Sequence, residues 1–302
     1  MFLTRSWFDF FNGAKAPKNQ TFENKQNIKG KIIMKKENKS NSSNVHVVVN
    51  TKGGCGKSTC SSILATLLYL NNPNKKINLF ELDDNNETKV DSKYIDSSSL
   101  TLKHTETVID NINFNQLIDP DYISVLDSGG SNDSVMILNK LKEIDMVGNN
   151  FYIPINDDLE QFKNLFETVQ FIRSFDCFAK ITVILNRCIT LEKKDVEKQF
   201  LVVFGSEELE IKNRLNHLKI DEVCFVPNAP ILSILKNHYQ VSLLDFYLNS
   251  IDLVENIDIY RLEWAKEGKE VFIANNKKYR IGKMAVELIE NLEPIKKMLL
   301  KA

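Results

Sequence analysis

The chain has 302 residues, 43% of them hydrophobic and 26% charged, and its net charge is −1. That balance belongs to a globular protein and excludes a fibrous or low-complexity chain. No apolar run approaches the ~20 residues that span a bilayer, and residues 1–5 begin no apolar stretch of secretory-signal length, so export is not expected.

Residues 1–44 hold nine Lys/Arg against three Asp/Glu, a net of +6, which leaves −7 for the rest of the chain. An acidic body argues against an all-over nucleic-acid surface and leaves only a local basic patch open. The tail is rich in Asn, Lys and Ser without a sustained apolar period, and is expected to be disordered, basic and polar. Its aromatic opening, residues 2–11 with Trp7, is a candidate docking or membrane-surface segment; Met34 offers an alternative start.

From residue 45 onward, short apolar runs at 45–49, 77–82, 122–126, 151–155, 181–185 and 222–226 read as strands. They lack polar/apolar alternation, as strands buried on both faces do. Helical patterns lie between them at 57–70, 132–144, 159–175 and across 194–218. This alternation predicts an α/β fold, a doubly wound and mostly parallel sheet with helices on both faces. Residues 89–115 read as an excursion with an edge strand at 100–103. Residues 242–278 read as an insertion before a final amphipathic helix at 281–292, which Pro294 interrupts. The five cysteines form no CxxC pair and the four histidines no ligand spacing, so neither a disulfide framework nor a zinc site is expected.

Between the first strand and the first helix stands Lys52-Gly53-Gly54-Cys55-Gly56-Lys57-Ser58-Thr59. A glycine-rich turn entering a helix directs backbone N–H groups inward, and the helix N-terminus adds its positive end, so the segment suits a polyphosphate. Lys57 is placed to reach the β- and γ-phosphates, Ser58 to ligate Mg²⁺, and Thr59 to add a phosphate contact. The second lysine, Lys52, lies too far round the loop to repeat that role and suits a phosphate held by a second subunit.

Lys-Gly-Gly-x-Gly-Lys-Ser/Thr resembles the deviant Walker A motif of the ParA/MinD family of dimerising ATPases. The resemblance makes Lys52 the signature lysine that crosses a face-to-face dimer. Phe80-Glu81-Leu82-Asp83-Asp84-Asn85 is similar to the family's Asp-x-Asp switch segment, with Glu81 in place of the first aspartate and Asp83 on the water-orienting one. Residues 122–127 end in Asp127 as a Walker B strand does, which implies a magnesium ligand. The family's Thr-Pro-Pro continuation is replaced by Ser128-Gly129-Gly130-Ser131, a pattern closer to plasmid-maintenance and conjugation members. No glutamate follows Asp127, so slow hydrolysis is expected. Asn186, closing Ile184-Leu185-Asn186-Arg187, corresponds to the adenine-reading asparagine, and Pro227 to the second base-flanking segment. The guanine-selective Asn-Lys-x-Asp motif is absent, which favours ATP. The resemblance covers about residues 45–240.

Together these readings imply a P-loop ATPase domain over 45–302. It would be a slow, partner-stimulated hydrolase using ATP and Mg²⁺, dimerising on ATP and serving plasmid or chromosome partition. Expected partners are a second copy, nonspecific DNA and a small ParB-like stimulator; the expected place is the cytoplasm, at the nucleoid. The alternatives are a MinD-like or conjugation-associated ATPase at a membrane, using the basic–apolar end 294–301. Less favoured are a dethiobiotin-synthetase-like ligase, against which Lys52 argues, and a non-hydrolysing interaction protein.

Overall fold

Buried β-branched runs and helices alternate along residues 43–83 and 92–300, which a computed structural model of the chain describes. Residues 1–42 of the basic tail, with its aromatic opening, and Asp84 and Asn85 of the switch segment lie outside the described residues. Seven strands form one sheet: β1 (Val45–Val48), β2 (Ile77–Leu82), β3 (Ile95–Leu100), β4 (Ile123–Ser128), β5 (Asn150–Ile155), β6 (Lys180–Cys188) and β7 (Glu222–Pro227). Their order is β3-β2-β4-β1-β5-β6-β7, and every pairing is parallel. The chain winds away from β1 in both directions, so the crevice beyond the carboxyl ends of β1, β4 and β5 is where such sheets bind ligands.

Both faces are covered. Val45, Val47 and Val49 join one core with α2 (Thr105–Ile118), α3 (Ser131–Glu143), α4 (Leu159–Phe175), α5 (Lys193–Gln199) and the short α6 (Leu201–Phe204). Val48 joins the opposite core with α1 (Lys57–Asn71), α7 (Pro230–Ile234), α8 (Leu243–Glu255), α10 (Lys269–Asn291) and α11 (Glu293–Leu300). That alternation is the two-residue period of a strand between two layers. Between α8 and α10 runs α9 (Ile257–Glu267). Gly282 lets α10 approach α8, since a Cβ there would lie 3.0 Å from Ser250 Oγ.

The edge strand is Ile95–Leu100 rather than 100–103; Leu102–His104 is a 3-10 turn leading into α2. Its Ile-Asp-Ser-Ser-Ser-Leu sequence carries little strand preference, and pairing along the whole of β2 overrides it. The broad helical region at 194–218 holds α5, α6 and a turn at Leu215–His217. The final long helix starts at Lys269, twelve residues before the expected start, and Pro294 sits in the first turn of α11, where its missing N–H costs nothing.

Candidate nucleotide-binding site

The phosphate loop leaves β1 and enters α1 with Gly54 at φ +75° and Gly56 at φ +92°. At Gly56 a side chain is excluded twice, by the left-handed backbone and because a Cβ would lie 2.1 Å from Asn186 Nδ2. Gly53 and Gly54 are exposed at the rim, Cys55 is buried, and the first turn of α1 carries no acidic residue. The open N-terminus of α1 thus sets no carboxylate of its own first turn against an anion.

Lys57 is buried, and its ammonium donates to the carbonyls of Asn50 (3.2 Å) and Lys52 (3.1 Å), closing the loop on itself. Asn50 is fully buried; its amide donates to Pro154 O at 2.7 Å, and its side-chain oxygen accepts the Lys52 N–H at 3.0 Å. Lys52 points outward, 2.6 Å from Glu160 Oε2 in the first turn of α4.

Asp127 is 2% exposed and one of its oxygens, Oδ1, has no hydrogen-bond partner. Burial pushes its carboxyl up to about 7; the Ser58 hydroxyl that hydrogen-bonds it pulls the other way, and the Glu81 charge adds to the rise. An orphaned, buried carboxylate oxygen beside the Ser58 hydroxyl fits the pair that holds Mg²⁺ on a polyphosphate. Bound there, the cation would supply positive charge against the β- and γ-oxygens.

Asp83 follows β2 and its N–H donates to Leu100 O at 3.2 Å. It meets the switch loop at Gly129: a Cβ there would lie 2.5 Å from Asp83 Cγ and 2.6 Å from Asp133 Oδ2. Asp133, in the first turn of α3, accepts the Gly130 N–H in a short hydrogen bond. The sheet therefore brings Asp83, Asp127 and the phosphate loop together, although they stand far apart in sequence.

Beyond Ser58 and Thr59 opens a cavity of about 600 Å³, walled by Asn186, Arg187, Pro227 and Asn228 and also by Glu81 and Lys236. Burial raises the Glu81 carboxyl, against which Lys236 acts. Asn186 lies behind the loop as well as beside this cavity. Its amide donates to Cys55 O at 2.9 Å and its oxygen accepts the Arg187 N–H at 2.9 Å.

Several members of the site escaped the sequence. Asn50, Ser134 and Glu160 match no motif, and only the helix-start spacing from Gly130 to Asp133 was available as a signal. Asp245 also lacked one: it accepts from Ser92 Oγ (2.5 Å) and the Lys93 N–H (3.1 Å), tying the residues just before β3 to the start of α8.

Residues 46–211, more than half of the chain, match the CobQ/CobB/MinD/ParA nucleotide binding domain. The chain belongs to that family. Among solved structures, this CobQ/CobB/MinD/ParA member is similar to the MinD cell division protein of Aquifex aeolicus. The identity is 16%, over 67% of this chain and 89% of that one, with a TM-score of 0.44. It is similar to a plasmid partition protein of Borrelia burgdorferi bound to AMPPNP, at 18% identity over 65% and 90%, TM-score 0.41. A ParA family ATPase of Chlorobium tepidum gives 16% identity over 67% and 96%, TM-score 0.38. No curated protein matches the sequence. The helices α8 to α11 lie beyond the matched family domain.

Proposed function

We propose that the chain is a slow, ATP-dependent dimerising switch ATPase of the ParA type, acting in plasmid or chromosome partition. The observation that carries this reading is Lys52, an ammonium left at the rim of a complete phosphate cradle. Its side chain is 41% exposed, whereas Lys57 is buried within the same loop. Lys57 would bind the polyphosphate of its own subunit and Lys52 that of a partner copy. Gly53, Gly54, Cys55, Gly56 and Thr59 would line the phosphates; Ser58 and Asp127 would hold Mg²⁺. Asp83, brought against Gly129, would orient water at the γ-phosphate. Asn186 would brace the loop from behind and, with Pro227, border the base in the adjoining cavity.

A duplex-DNA surface is supported by the exposed cations of α10. Residues 269–283 hold five cations against the single acid Glu270, and Lys269, Lys277, Lys278, Arg280 and Lys283 are all exposed. A membrane role is less favoured. Among the described residues no helix is long and apolar enough to cross a bilayer. The end helix α11 buries Ile295 and Leu299, and Lys296 O accepts from Asn71 of α1 at 3.0 Å, so its apolar side is already used.

Light scattering with Mg²⁺ and ATP tests the proposal. Wild type is expected to shift from monomer to dimer with ATP and not with ADP, Lys52→Ala is expected to stay monomeric while still binding nucleotide, and a stimulating DNA-binding protein is expected to raise a low basal turnover. Dimers that form equally well in Lys52→Ala count against it.

A further inference from the structure

Ser128 and Ser134 bring two hydroxyl hydrogens to three short contacts. Ser128 Oγ lies 3.0 Å from the Val48 carbonyl oxygen, the two hydroxyls are 2.7 Å apart, and Ser134 Oγ lies 2.8 Å from the Asn50 carbonyl oxygen. Each hydroxyl donates once, so only two of the three bonds exist at a time. Both serines and Asn50 are fully buried, so bulk solvent does not reach them to supply the missing hydrogen. Ser134 also approaches the Gly130 carbonyl, more distantly, at 3.3 Å.

The chain of hydroxyls therefore has two directions. While Lys57 donates to Asn50 O at 3.2 Å, that carbonyl is satisfied, and Ser134 donates to Ser128, which donates to Val48. When Lys57 turns to a phosphate, the buried Asn50 oxygen loses its cationic donor. Ser134 then donates to Asn50 and no longer to Ser128, which either keeps Val48 or turns to donate to Ser134. An unpartnered buried acceptor is costly, which drives the reversal.

We infer that Ser134 is a positioning residue that reports the engagement of Lys57 by a polyphosphate to the loop around Gly129 and Gly130; the inference rests on the nucleotide-binding reading above. Ser128 immediately follows the metal-holding Asp127, and Ser134 lies at the start of α3, so the reversal acts on both ends of that loop. The ligand class it senses is a nucleoside di- or triphosphate, through its effect on one ammonium group.

Calorimetric titration of the full chain with Mg²⁺ and ADP or a non-hydrolysable ATP analogue, beside thermal melts without nucleotide, tests this. In Ser134→Ala the nucleotide-free protein keeps Lys57 on Asn50 and Ser128 on Val48, so its melting temperature should barely move. On binding, Asn50 O is stranded, and affinity should fall about 10-fold or more. Ser134→Thr, which retains the hydroxyl, should restore affinity. Unchanged affinity in Ser134→Ala overturns the inference, as does a melting temperature that falls in step with affinity, or a threonine that restores nothing. Wild type without affinity for either nucleotide overturns the proposed function and this inference together.

Discussion

Lys52 Nζ rests 2.6 Å from Glu160 Oε2, so the rim cation of the phosphate loop is held by the first turn of α4 in its own subunit. That hydrogen bond, followed by the Glu160 charge, raises the ammonium above its ordinary range. To reach a partner's phosphate the lysine has to let go of Glu160.

Releasing the lysine should therefore favour dimers. Exposed pairs are weak, so Glu160→Gln is expected to lower the protein concentration needed for ATP-dependent dimerisation by only about two- to five-fold. Analytical ultracentrifugation across a concentration series reads this directly; a Glu160→Gln protein that dimerises less readily contradicts the expectation.

Asp127 makes stability depend on pH. Its carboxyl is raised to about 7 by burial, against an ordinary value of 3.8. A raised carboxyl binds its proton more tightly when folded, so its favourable contribution is complete below pH 3.8 and is lost as pH rises through 7. Asp127→Asn should accordingly stabilise the nucleotide-free protein at pH 8, by up to about 4 kcal/mol, and do little at pH 4. His46 works in the opposite direction, because burial lowers it to about 3 and its charging opposes folding as pH falls below 6.5. Denaturant melts at both pH values separate the two; equal effects of Asp127→Asn at each would contradict the burial argument. The same variant should lose its Mg²⁺-dependent gain in nucleotide affinity.

Gly129 is where two carboxylates crowd one backbone position. Its missing side chain leaves room for Asp83 and Asp133, which would stand 2.5–2.6 Å from a Cβ. Gly129→Ala should lower stability by about 1–3 kcal/mol through overpacking and should depress ATP turnover more than nucleotide affinity. A turnover assay beside equilibrium binding checks the split, and a variant with wild-type turnover would show that Asp83 needs no such approach.

On α10 the cations Lys277 and Arg280 stand exposed without an ion-pair partner among the described residues. Reversing both to glutamate should weaken ATP-dependent retention on plain duplex DNA at least about 10-fold and reduce its salt dependence by about two charges. Dimerisation, measured in the same samples, should not change. Retention on anionic liposomes in place of DNA would instead favour a membrane surface.

The parts of the molecule that were readable in advance share one property: their residues act through neighbours in sequence. The Gly53–Lys57 loop turns through positive φ at Gly54 and Gly56, which glycine favours, and the buried strands declare themselves by unbroken apolar runs. Strand β3 was misplaced because a serine-rich segment is held by pairing with β2 and not by its own preference. The start of α10 was missed because twelve residues of helix lie before the part whose apolar stripe is strongest, among them exposed cations.

What the sequence determined alone was a phosphate-binding turn between a buried strand and a helix, two lysines with different stations on it, and acids at the ends of later strands. Those are local facts of chain stereochemistry. Only the tertiary structure decided that Asp83 meets Gly129, that Glu160 holds Lys52, and that Asn50, Ser128 and Ser134 share too few hydrogens. Each of these depends on strand order and on burial, which place residues from distant segments within hydrogen-bond range in a space from which water is excluded.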